Sequence, residues 1–122
     1  MNNDNAILKQ CLAQPVELLR LIDLASNAIV SKTIIDRPAG TITLFAFDRG
    51  QRLSEHTSPF DAVVQILEGK ALITIGTASM EISAGQLIVM PAGVPHALAA
   101  VEPFKMMLIM VRGQSDARQT DR

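Results

Sequence analysis

Two histidines, His56 and His96, are the only imidazoles in the chain, and it contains no tyrosine or tryptophan. Neutral imidazole is a good ligand for Fe, Zn, Cu or Ni and titrates near neutrality, so this pair points to metal binding or to general acid–base work. Mononuclear catalytic metals usually take three protein ligands, commonly with a carboxylate that offsets the ion's charge. Two imidazoles alone should hold a divalent ion weakly. Lack of tyrosine removes any phenolic acid. Met90, Met106, Met107 and Met110 carry thioethers that suit Cu(I), but methionines in β segments more often fill a core. Cys11 has no partner for an internal disulfide and is read as an inert thiol in the amino-terminal stretch.

Something must carry these side chains, and the hydrophobic pattern predicts mostly strands. Residues 6–24 place Leu8, Leu12, Val16, Leu19 and Ile22 at roughly helical intervals interrupted by Pro15, which predicts one or two short helices or turns. From Ile29 onward, short β-branched runs are bounded by turn residues. Strands are predicted over 29–35, 41–48, 53–58, 62–67, 71–75, 80–82, 87–90, 96–100 and 106–111. Their connections are too short for crossover helices, so the sheets should be mainly antiparallel. The chain thus divides into a helical or turn segment (1–28), a β domain (29–112) and a polar tail (113–122) that is expected to fray.

At 122 residues there is room for one core. Eleven basic and twelve acidic residues are scattered and form no polycationic stripe, and with four phenylalanines as the only aromatics there is little to stack on a base. Nucleic-acid binding is therefore not expected. No apolar run is long enough to span a membrane, and the polar amino end lacks the basic-then-apolar signature of a secretory leader. A cytoplasmic protein is expected.

The middle of the chain carries two glycine-punctuated stretches. The first runs Gly50-x5-His56-x-Ser58-x3-Ala62-x6-Gly69, and the second runs Gly85-x5-Pro91-x-Gly93-x2-His96-x3-Ala100. Together they resemble the two motifs of small single-domain cupins of the conserved-barrel type, G-x5-H-x-H-x3,4-E-x6-G and G-x5-P-x-G-x2-H-x3-N. The resemblance covers most of residues 41–111. Ser58 stands at the second histidine position, Ala62 at the glutamate and Ala100 at the asparagine.

The resemblance implies an all-β double-stranded β-helix, a jelly-roll barrel with a short amino-terminal helical segment, commonly homodimeric and in many members holding a divalent metal on three histidines and a glutamate. Side chains two apart on a strand share a face. If His56 points inward, Ser58 should too, with Ala62 and Val64 on the next strand and His96 and Leu98 on a later one. Asp61 falls on the other face and does not replace the missing glutamate. Phe60 sits near the mouth. The expected ligand pocket is therefore His56, Ser58, Phe60, Ala62, Val64, His96 and Leu98, with His56 and His96 as candidate metal residues and no catalytic role assigned to any. The leading expectation is a stand-alone homodimeric module, without nucleic-acid or membrane partners, that binds a small molecule, an anion among the candidates. It would carry no cofactor or a weakly held Fe, Mn, Zn or Ni ion. The alternative is a degenerate metal-dependent oxygenase, isomerase or lyase in which water or substrate completes the shell.

Overall fold

The computed structural model describes residues 4–112, with side chains from residue 7 onward; the tail expected over 113–122 lies outside the described residues. A short helix, α1 (Asp4–Cys11), and a 3-10 turn at Leu18–Arg20 flank Pro15, where the helical periodicity breaks. Nine strands follow: β1 (Ile29–Arg37), β2 (Gly40–Phe47), β3 (Arg52–His56), β4 (Asp61–Glu68), β5 (Lys70–Ile75), β6 (Ala78–Ser83), β7 (Leu87–Met90), β8 (His96–Ala99) and β9 (Phe104–Val111). No helix among the described residues is long and apolar enough to cross a membrane.

All pairings are antiparallel and fall into two sheets, ordered β1-β2-β9-β4-β7 and β3-β8-β5-β6. Strands β2, β9 and β4 come from distant parts of the chain yet lie side by side, the connectivity of a jelly roll. Along β4 the burial alternates strictly, with Ala62, Val64 and Ile66 turned to the core, as a two-residue period requires. The core between the sheets centres on Phe47 and Phe104, which stack with centroids 4.5 Å apart, together with Ile66, Ile73 and Met106. Gly69 turns the chain from β4 into β5 at φ +80, and a Cβ there would strike the Pro103 carbonyl, so both backbone angle and space demand glycine.

A second apolar cluster occupies the outer face of the five-stranded sheet. Ile7, Leu21 and Ile22 from the amino-terminal segment cover Leu44 and Ala46 of β2, and Ile22 is fully buried. Lys105 points to this side and donates from Nζ to the Leu19 carbonyl at 3.0 Å, which fastens the segment to β9. The amino-terminal residues thus act as a lid on one half of a sheet and leave the opposite sheet and the cavity mouth free. Cys11 lies half-buried at the margin of this cluster.

Candidate functional site

The four-stranded sheet brings the histidines together. Strands β3 and β8 pair so that His56 and His96 are directly opposite, with a register irregularity between Leu53 and His56. Opposed positions in antiparallel strands put side chains within reach of each other. Here the rings meet edge-on at 74°, with centroids 4.4 Å apart and the two Nε2 atoms 3.1 Å apart. His96 is buried, at 3% exposure, whereas His56 is exposed at the rim.

Hydrogen bonding fixes which nitrogens carry protons. His56 Nδ1 lies 2.8 Å from the Ser54 carbonyl and His96 Nδ1 lies 3.2 Å from the Val94 carbonyl. A carbonyl oxygen can only accept, so both Nδ1 atoms are N–H donors. In two neutral rings the facing Nε2 atoms would both be lone pairs, which repel at this distance. A proton placed between them would resolve the conflict and give the pair one positive charge. Protonation of His96 is resisted: burial lowers its pKa, the neighbouring His56 charge lowers it further, and the Val94 carbonyl opposes both.

The pair opens onto a cavity of about 270 Å³. Its walls are apolar, formed by Phe45, Leu53, Phe60, Leu98 and Leu108 with Met90, Met106 and Met110, and its rim adds Thr57, Ser58 and Pro59. Two loops frame the mouth and are tied together, because Gly93 N–H donates to the Ser58 carbonyl at 2.8 Å and Ala92 N–H to Asp61 Oδ1 at 2.9 Å. Asp61 is thus engaged on the loop side while its neighbour Ala62 faces the cavity. The Arg112 guanidinium lies over the Phe60 ring, 5.8 Å from its centroid, at the same rim.

Each predicted residue can now be placed. His56, Ser58, Phe60, Ala62, His96 and Leu98 line the cavity. Ser58 reaches it by a different route from the one expected, since β3 ends at His56 and Ser58 belongs to the following loop, where its Oγ accepts from Phe60 N–H at 3.1 Å and donates to Met110 Sδ at 3.8 Å. Val64 is a correction: it is fully buried, flanked in register by Leu108 and Ile88, and does not line the cavity. Parity places a side chain on the right face but says nothing of the neighbours that seal it off. Missing from the expected set were Phe45, Leu53, Thr57, Pro59, Met90, Met106, Leu108 and Met110. For the last three the alternation was invisible, because β9 is apolar on both faces.

Among the described residues no three His, Cys, Asp or Glu side chains converge as a metal-binding group. Two imidazoles without a carboxylate fall short of the donor set of a divalent catalytic ion, which would leave a dication in an apolar cavity without protein counter-charge.

Comparison with known proteins agrees with the architecture. A conserved protein of unknown function from Streptococcus pyogenes is 42% identical, with a TM-score of 0.80 over 84% of this chain and 90% of that one. A cupin superfamily protein from Desulfitobacterium hafniense is 29% identical, with a TM-score of 0.79 over 83% and 93% of the two chains. An uncharacterised protein of Streptomyces coelicolor is 32% identical over 56 residues, 46% of this chain, and the match spans about half (53%) of that curated relative's length. The cupin domain profile matches residues 43–112, which span both motifs, strands β3 to β9 and the histidine pair, and the chain belongs to the cupin family.

Proposed function

We propose that the protein is a binding module whose cavity takes a small, mainly apolar molecule with an anionic end, the anion meeting the His56–His96 pair. The observation that supports this most directly is the 3.1 Å approach of two Nε2 atoms whose Nδ1 partners are both committed to carbonyls. Such a pair sets two imidazoles at one cavity, where a proton taken up between them gives an anionic group a positive charge to meet, and no carboxylate lines the cavity to compete with the ligand's own. Below it lie aliphatic, aromatic and thioether walls, the usual combination of greasy lining with a few orienting polar groups. At about 270 Å³ the space is at the lower bound of small-molecule sites and suits a short carboxylic acid rather than a sugar nucleotide.

The test is a thermal-shift panel on metal-free, untagged protein, pairing short aliphatic and aromatic carboxylates with their neutral amides. A ligand at about 100 times its Kd stabilises the fold by about 2.7 kcal/mol, a shift of several degrees. Acids should raise Tm, amides should not, and His96→Gln should erase the difference. A panel without response, or a response that survives His56→Gln and His96→Gln together, would refute the reading. Elemental analysis of the same untagged protein addresses the metalloenzyme alternative: close to one Fe, Mn, Zn or Ni per chain, lost in the double variant, would replace the binding-module proposal.

A further inference from the structure

We propose that Met110 is a modification site, oxidised by hydrogen peroxide to one epimer of its sulfoxide, and that this oxidation weakens the cavity's hold on apolar acids. The site stands on its own observations; its effect on the cavity rests on the binding-module reading.

Burial singles this residue out among the described methionines. Met90 and Met106 share the cavity wall but are 3% and 1% exposed. Met80 packs against the main core and Met107 against the amino-terminal cluster on the outer sheet face, so neither faces the cavity. Met110 alone is both partly exposed and on the cavity wall, where a small oxidant can reach its sulfur. It also has a polar neighbour, because the Ser58 hydroxyl donates to Met110 Sδ at 3.8 Å. That hydroxyl is held in place: Ser58 Oγ accepts from Phe60 N–H at 3.1 Å, and the Ser58 carbonyl accepts from Gly93 N–H at 2.8 Å. The sulfur thus touches the one residue that ties the two rim loops together.

In the reaction a sulfur lone pair attacks one peroxide oxygen, the S–O bond forms and the O–O bond breaks. The departing hydroxide takes the proton from the sulfur-bound oxygen and leaves as water, so the thioether loses two electrons to the peroxide. A thioether sulfur has two lone pairs, and the Ser58 hydroxyl occupies one of them. Peroxide arriving through the cavity takes the other, which fixes one configuration at sulfur. Oxidation converts a flexible apolar side chain into a polar, chiral one. Here it sets an oxygen that can only accept hydrogen bonds among Phe45, Phe60, Leu98 and Leu108. Such a wall is less favourable for an apolar body, and its oxygen repels a carboxylate. A sulfoxide reductase with a dithiol reverses the change: two thiols become a disulfide and the oxygen leaves as water.

Untagged protein is treated with dilute hydrogen peroxide, quenched at intervals and digested, and fragment masses assign each added oxygen to a residue. Met110 should gain oxygen ahead of every other described methionine. The digested peptides are then given two methionine sulfoxide reductases separately, each specific for one epimer. One should reduce nearly all of the Met110 sulfoxide and the other little, whereas Ser58→Ala, which frees both lone pairs, should give a mixture. Benzoate serves as the probe of the cavity: after peroxide its affinity should fall about tenfold, within the cost of an unpaired polar group in an apolar site. Met110→Leu conserves volume and keeps Cys11 and the other methionines, so its benzoate response should survive the same treatment. Oxidation of Met90, Met106 or Met107 first, comparable amounts of both epimers in the wild type, or a benzoate affinity unchanged by oxidation would each overturn the proposal. Absence of any carboxylate response before treatment would remove the binding module and the effect on the cavity with it, while the mass and epimer results would still decide the site.

Discussion

Burial holds the His96 pKa below its ordinary value of 6.5, and this has a consequence for stability with a definite sign. In the unfolded chain the imidazole takes up a proton as the pH falls through 6.5; in the folded chain it resists until a lower pH. Between those two values the unfolded state binds more protons, so stability falls as the pH drops through that window and levels off below it. Chemical denaturation above and below 6.5 should show this decline, and His96→Gln should flatten it. Asp48 acts in a separate window: the Asn27 and Arg49 backbone amides lower its pKa from 3.8, so its contribution is lost only at more acid pH. A decline of equal size in His96→Gln would show that another group is responsible. Ala62 offers a second test at this scale. In Ala62→Glu a carboxylate enters the cavity wall beside the histidines, at a position only 2% exposed. Without metal the buried charge should cost several kcal/mol, and Zn(II) should restore Tm in the variant while barely moving the wild type. An equal response of the two proteins to Zn(II) would mean that the missing carboxylate is not what limits divalent binding.

Strands are where the sequence spoke most plainly. All nine expected segments overlap an observed strand, because β-branched runs end at glycine or proline turns whose backbone geometry is local. Boundaries moved by a residue or two, and one such shift mattered: β3 stops at His56, which takes Ser58 off the strand and into the loop that Gly93 anchors. The pairing of His56 with His96 was not legible from spacing, since forty residues and four other strands separate them in the chain, and only the sheet order brings β3 beside β8. Nor was the amino-terminal lid legible, because Ile7 and Ile22 bury against an outer sheet face that a single-core reading leaves bare. Turn glycines allow an element-level prediction. Gly69 and Gly50 both adopt positive φ, +80 and +84, but a Cβ at Gly50 meets nothing, whereas one at Gly69 meets the Pro103 carbonyl and Phe104. Gly50→Ala should cost roughly 1–2 kcal/mol from the backbone angle alone. Gly69→Ala should cost more, because β4 or the 103–104 backbone must shift as well. Urea midpoints compare the two directly, and equal losses would show that the close approach is relieved without strain.

At the scale of the whole molecule, the amino-terminal segment covers the outer face of the five-stranded sheet around Leu44 and Ala46 and reaches Met107 of β9 and Leu67 of β4. Toward the β7 edge, register places Val89, Val63 and Ile109 in one row across β7, β4 and β9. Leu87 and Val89 are 58% and 47% exposed beside it, and β7 is an edge strand paired only with β4. An exposed aliphatic row next to an open strand edge is a liability that a symmetric partner removes, since a two-fold contact lays the same patch against itself. A homodimer through this face is therefore expected, with the cavity mouth, on the other side of the sheet, left open in both copies. Sedimentation of the wild type at micromolar concentration should show a dimer, and Leu87→Lys with Val89→Lys should give a monomer with an unchanged circular dichroism spectrum. Because dimerisation adds to folded-state stability by mass action, the wild-type Tm should rise with protein concentration and that of the lysine variant should not. A wild type that sediments as a monomer would place the aliphatic row among ordinary surface residues and remove the dimer from this account.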